Sequence, residues 1–129
     1  MNKKNIIDLL HKYNFDSDKY LVISGAAMVL LGLKEQTSDI DIAVTEDYYE
    51  YLLDNYDCTF ERINEYGKKV YFIDNIINFS TSYYTDDKII INEIPIQKPK
   101  NILKLKKSLN REKDKIDIER IKVFIENEK

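Results

Sequence analysis

At 129 residues, 43% hydrophobic and 33% charged, the chain has room for one compact domain with its own core. No apolar run approaches the roughly 18 residues that a membrane-spanning helix needs, so no membrane partner is expected. The single cysteine, Cys58, excludes an internal disulfide or a cysteine-rich zinc site, which makes the cytoplasm the expected compartment. The net charge of −3 conceals an asymmetry: residues 98–129 hold eleven basic and six acidic side chains, and the rest holds nine and seventeen.

In chain order, residues 5–13 carry Ile6, Ile7, Leu9, Leu10 and Tyr13 on a helical stripe. The lysine pair before them lacks the apolar core and cleavage site of a signal peptide, so the segment reads as a helix. His11 lies off the stripe and is expected to be exposed. Residues 20–23 form an apolar strand. Ser24-Gly25 breaks it, and a small-residue helix is expected from Gly25 to about Leu33. Asp39 and Asp41 alternate with Ile40 and Ile42 on the next strand, so both carboxylates share one face. Their repulsion suits a divalent cation with oxygen ligands, Mg²⁺ or Mn²⁺.

Thr45 caps a helix over residues 46–55, with Glu46 and Asp47 in its first turn. Its tyrosines are expected to pack on the sheet. From Cys58 the period changes to two. Strands are expected at 58–63, 69–74 and 76–82, with a small hairpin at 88–92 and 94–97. Pro99 opens a helix to about Leu109, and a last helix is expected over about 112–126. There is no internal repeat or linker. The whole of residues 1–129 reads as one domain with a helical C-terminal segment from about 99.

Strand, Ser24-Gly25, helix and Asp39-x-Asp41 together resemble the nucleotidyltransferases of the polymerase-beta superfamily. Residues 99–121 strengthen this: a proline, a Leu/Lys helix, then Arg111, Lys113, Asp114, Asp117 and Ile118. They resemble the closing segment of abortive-infection type IV toxin-like and minimal nucleotidyltransferases. The resemblance implies an α+β fold with a mixed, mostly antiparallel sheet and helices on one side. It also implies Mg²⁺-dependent transfer of a nucleoside monophosphate from an NTP to RNA, a protein or a small molecule. Asp39 and Asp41 would be the catalytic metal ligands. Ser24 and Gly25 would meet phosphate, with Lys106, Lys107 and Arg111 balancing its charge.

Three departures accompany the match. Ser-Gly stands where the family has Gly-Gly or Gly-Ser, with Gly25 expected to need the tight backbone. Glu35 replaces a basic residue four before the first aspartate. The third carboxylate, normally on a neighbouring strand, falls at neutral Asn78. The alternative reading is therefore a catalytically weak or inert copy of the fold. Such a copy would serve as a nucleotide sensor or as an antitoxin-like partner of a cognate protein. A bare nucleic-acid-binding module has only the basic tail behind it. Arg111, Lys113, Asp114 and Asp117 also read as a structural network joining the last helices to the domain.

Overall fold

The computed structural model describes residues 1–128; Lys129, the end of the expected helical tail, lies outside them. The elements run α1 (Lys3–Tyr13), β1 (Tyr20–Ile23), α2 (Ser24–Leu30), β2 (Ile40–Val44) and α3 (Glu46–Asn55). Next come β3 (Cys58–Ile63), β4 (Lys69–Ile73), β5 (Ile77–Ser80), β6 (Lys88–Ile91) and β7 (Ile94–Gln97). The chain ends in α4 (Pro99–Leu109), a 3₁₀ turn (Glu112–Asp114) and α5 (Lys115–Asn127). This is an α+β fold built on one seven-stranded sheet in the order β3-β4-β5-β2-β1-β7-β6. The sheet is mixed and mostly antiparallel. Among the described residues, only the β1–β7 and β2–β5 pairs run parallel.

Alternation along the central strands divides the sheet into two unlike faces. Val22, Ile40, Ile42, Ile77 and Phe79 enter one apolar cluster, which also takes Ile6, Leu10, Ala27, Leu52, Ile102 and Ile121 from the five helices. The opposite face keeps only a small patch of Leu21, Ile23 and Ala43, beneath Tyr83 and Tyr84. Asp41 belongs to this second face. It lies in register with Ile23 on β1 and Asn78 on β5.

Local chemistry sets the element ends. The Thr45 hydroxyl accepts from Tyr48 N at 3.3 Å, a cap worth about 1 kcal/mol. Pro99 occupies the first turn of α4, where no intrahelical N–H is needed. Several expected bounds are corrected. α2 stops at Leu30 rather than Leu33, because Gly32 turns left-handed with φ 79°. β4 stops before Asp74, since Asp74 and Asn75 have φ of 54° and 55°. The strand expected at 76–82 is confined to Ile77–Ser80. Asn92 and Glu93, with φ of 50° and 68°, make the tight turn between β6 and β7. The last helix begins with a separate 3₁₀ turn. The expected tyrosine packing is present: Tyr48 is buried, and Tyr49 meets Phe79 edge-on at 5.6 Å. His11 is exposed, with Nε2 placed 2.9 Å from the Asn92 carbonyl.

Among the described residues, no helix is long and apolar enough to cross a membrane.

Candidate functional site

Asp39 and Asp41 face one groove of about 600 Å³. Asp39 lies in the bend just before β2, not on the strand itself, while Asp41 is its second residue. Both are half-buried. β2 is the middle strand of seven, so Asp41 has sheet on both sides. Burial, and then the neighbouring Asp39 charge, push the Asp41 carboxyl up to about 6. Hydrogen bonding from Asn78 and the Arg62 charge pull the other way.

Asn78 is buried beside this pair, and its Nδ2 donates to Asp39 Oδ2 at 3.4 Å. The neutral amide thus gives the carboxylates a donor where a third carboxylate would add charge. Asp74, the nearest acidic residue in sequence, is not among the described residues lining the groove. It sits on the β4–β5 turn, where its carboxylate accepts from the Tyr13 hydroxyl.

Ser24 and Gly25 line the same groove. Their backbone differs from expectation. Ser24 adopts the left-handed conformation, with φ 59°, whereas Gly25 does not. The constraint on Gly25 is steric: a Cβ there would stand 3.2 Å from Thr37 Oγ1. The Ser24 N–H is already engaged, donating to buried Gln97 Oε1 at 3.1 Å.

The basic residues of the tail divide. Lys106 borders the groove but is only 4% exposed, and its Nζ lies 3.1 Å from Asp114 Oδ1 and 3.3 Å from Asp117 Oδ2. Arg111 Nε donates to Asp114 Oδ2 at 2.6 Å, and Lys34 Nζ reaches Asp117 Oδ2 at 3.4 Å. Burial opposes ionisation of Asp114, yet the bonds from Arg111 and Lys106 hold its carboxyl below the usual range. These contacts form the network that ties α4, the 3₁₀ turn and α5 to the loop after α2. Arg111 and Lys113 still face the groove. Lys107 is exposed and is not among the described residues of the groove wall.

Sequence reasoning missed Glu61 and Arg62. A regular strand would point them to opposite faces. Instead the register jumps between Phe60, opposite Tyr71, and Arg62, opposite Val70. This β-bulge brings both Glu61 and Arg62 to the groove. No sequence signal marked the bulge beyond two adjacent charges in an otherwise alternating strand.

No family model, curated protein or solved structure matches the chain. Among the described residues, no group of three or more His, Cys, Asp or Glu side chains is gathered to hold a metal ion. The donor set still fits Mg²⁺. Two oxygen donors of like charge face one groove, and Mg²⁺ is commonly held by one or two carboxylates plus substrate phosphates and water.

Proposed function

We propose that this chain is a nucleotidyltransferase-like protein that binds an NTP with Mg²⁺ in the Asp39–Asp41 groove and transfers its NMP group to an acceptor hydroxyl. One observation carries the reading. Asp39 and Asp41 face a groove whose other walls carry the guanidinium groups of Arg62 and Arg111 and the Lys113 ammonium. A site with a carboxylate pair and separate cations is matched to a magnesium-bound polyphosphate, which presents both charges. The same-face carboxylates and the Ser24-Gly25 turn beside them support the resemblance to the polymerase-beta superfamily. Asp39 and Asp41 would hold the ion, which neutralises the triphosphate and polarises its reacting phosphoryl group. The chain's own part is positioning. Arg62 and Arg111 orient phosphate oxygens, and Gly25, with no Cβ, lets the Thr37 hydroxyl pack against the turn.

The test is incubation with each α-labelled NTP, Mg²⁺ or Mn²⁺, and total cellular RNA or protein. Label should enter one fraction and fail to do so with Asp39→Asn plus Asp41→Asn. No label in any fraction, together with no NTP binding, would overturn the reading.

Asn78 favours a second reading. With an amide in register with Asp41, the carboxylate pair is partly stabilised without an ion. A weak or inert binding protein, acting as a nucleotide sensor or as the antitoxin-like partner of a cognate protein, would retain NTP affinity while moving no label.

A further inference from the structure

We infer that the cavity between the β5–β6 loop and α4 is a binding site for a nucleobase, distinct from the carboxylate pair and needing no metal. The cavity measures about 400 Å³, within the roughly 300–1,000 Å³ typical of small-molecule sites. Tyr66, Tyr83, Gln97, Asn101, Lys104 and Leu105 line it, and Asp39 and Asp41 do not. Gln97 carries the argument. Ile94 and Ile96 enter the main apolar cluster, so Gln97, the last residue of β7, falls on the opposite face of the sheet. It is only 3% exposed. Its Oε1 accepts the Ser24 N–H at 3.1 Å, which fixes the two ends of the amide. Among the described residues, its Nε2 has no hydrogen-bond partner. Buried polar groups are nearly always paired, and an unpaired one is costly. This donor therefore lacks an acceptor, and the cavity is the space from which one can arrive.

Two tyrosines say what kind of acceptor it is. The Tyr66 and Tyr83 rings stand 5.3 Å apart between centroids with their planes at 72°, forming a corner. Tyr83 is held there at a cost. Its φ of 70° is one that a bulky residue rarely adopts, and its hydroxyl is tied down by donating to Glu65. Tyr66 is exposed, so a stacked ligand would cover apolar ring surface. Leu105 adds an apolar wall from α4. A flat ring with acceptors on its edge meets both demands: it stacks on a tyrosine and accepts from Gln97 Nε2. Nucleobases have both features, and every one of them has a face that stacks. A phosphate fits less well, because Asp87 brings a carboxylate to the same wall beside Lys104. The base has two sources. Gln97 also holds Ser24, which lines the Asp39–Asp41 groove, so the base belongs either to the NTP itself or to an RNA acceptor.

The experiment uses the whole chain without metal. The probes are the four ribonucleosides and phenyl riboside, which keeps the sugar and a flat ring but has no acceptor on that ring. Binding is followed by ligand-observed NMR and calorimetry at millimolar concentrations. At least one nucleoside should bind, and phenyl riboside should bind about five- to tenfold more weakly, the worth of one neutral hydrogen bond. Tyr66→Ala should weaken the nucleoside by about tenfold, as loss of a stacking ring does, with thermal unfolding little changed because the side chain is exposed. Gln97→Glu keeps an oxygen for the Ser24 N–H but replaces the free donor with an acceptor, so the preference over phenyl riboside should vanish. If that variant does not fold, Tyr66→Ala still decides. NTP·Mg²⁺ that displaces the nucleoside assigns the site to the base of the NTP. NTP·Mg²⁺ that binds alongside it assigns the site to a base of the RNA acceptor. No nucleoside bound, or Tyr66→Ala within twofold of wild type, overturns the inference. Neither result touches the Asp39–Asp41 reading, which stands or falls on NTP·Mg²⁺ binding and label transfer.

Discussion

Lys106 and Asp114 form a buried ion pair, Nζ to Oδ1 at 3.1 Å, with only 4% of either side chain exposed. Asp117 shares the same ammonium. Both carboxylates belong to the segment that follows α4, so one lysine fixes how the C-terminal helix meets the rest of the domain. A cation so fully engaged has little charge left for a ligand.

Lys106→Ala should therefore act first on stability. It leaves Asp114 and Asp117 without their shared partner, and breaking a buried pair from one side costs about 3–5 kcal/mol. Urea unfolding should show this loss. Lys107→Ala, at an exposed position, should stay within about 0.5 kcal/mol. Equal, small effects of the two substitutions would return Lys106 to the phosphate role that the sequence suggested.

Asp41 gives a pH dependence with a definite sign. Its carboxyl stands at about 6 in the fold against 3.8 when unperturbed. The folded state thus holds more protons than the unfolded state between those values. The Asp41 contribution to stability is therefore fully present below about pH 4, falls as pH rises, and is lost above about 6. The span is on the order of 2 kcal/mol after allowing for partial solvent screening. Asp41→Asn should flatten that slope and raise stability at pH 7. The double variant Asp39→Asn plus Asp41→Asn should also abolish Mn²⁺ binding in calorimetry. Mn²⁺ affinity unchanged in the double variant would mean that these carboxylates hold no ion.

Much of the fold was legible because local signals agreed with tertiary ones. The bounds expected for β1, α3, β3, β7 and α4 match those observed. Each has a strong marker, such as the Thr45 cap, Pro99 or a clear two-residue period. The Asp39–Asp41 face was legible for the same reason. What was not legible depends on neighbours distant in sequence. The bulge at Glu61 arises only from pairing with β4. The left-handed turn fell on Ser24 rather than Gly25, where Gln97 on β7 accepts the Ser24 N–H. Lys106 did leave a signal. It occupies the stripe Ile102, Leu105, Lys106 and Leu109, at i, i+3, i+4 and i+7, and so faces inward with the apolar residues.

The Ser24–Gln97 contact predicts opposite effects at its two ends. A left-handed non-glycine residue costs roughly 1–2 kcal/mol, partly offset by the entropy that glycine loses on folding. Ser24→Gly should thus be neutral to about 1 kcal/mol stabilising. Gln97→Ala removes the acceptor of the Ser24 N–H and a buried amide, costing about 1–3 kcal/mol. Thermal unfolding of both variants checks this; two losses of similar size would show that the turn is held by the Ser24 side chain instead.

Asn78→Asp separates the two functional readings. The residue stands in register with Asp41, and its Nδ2 donates to Asp39. The aspartate is nearly isosteric, so the backbone need not move. Two changes follow at once. The carboxylates lose a donor, and a third negative charge enters a half-buried site. Without metal the variant should be less stable than wild type at pH 7, and the Asp41 carboxyl should rise further. With Mg²⁺ or Mn²⁺ the same charges become ligands. Binding should tighten, and the metal should recover more stability than it gives the wild type, since a ligand that binds only the folded state stabilises it. If the wild type transfers label slowly, the variant should transfer it faster. Thermal unfolding with and without Mn²⁺ reads the first part even where no acceptor is known. A variant that is destabilised without metal and gains nothing from Mn²⁺ would show that the groove does not gather carboxylates around an ion, and would favour the inert binding protein.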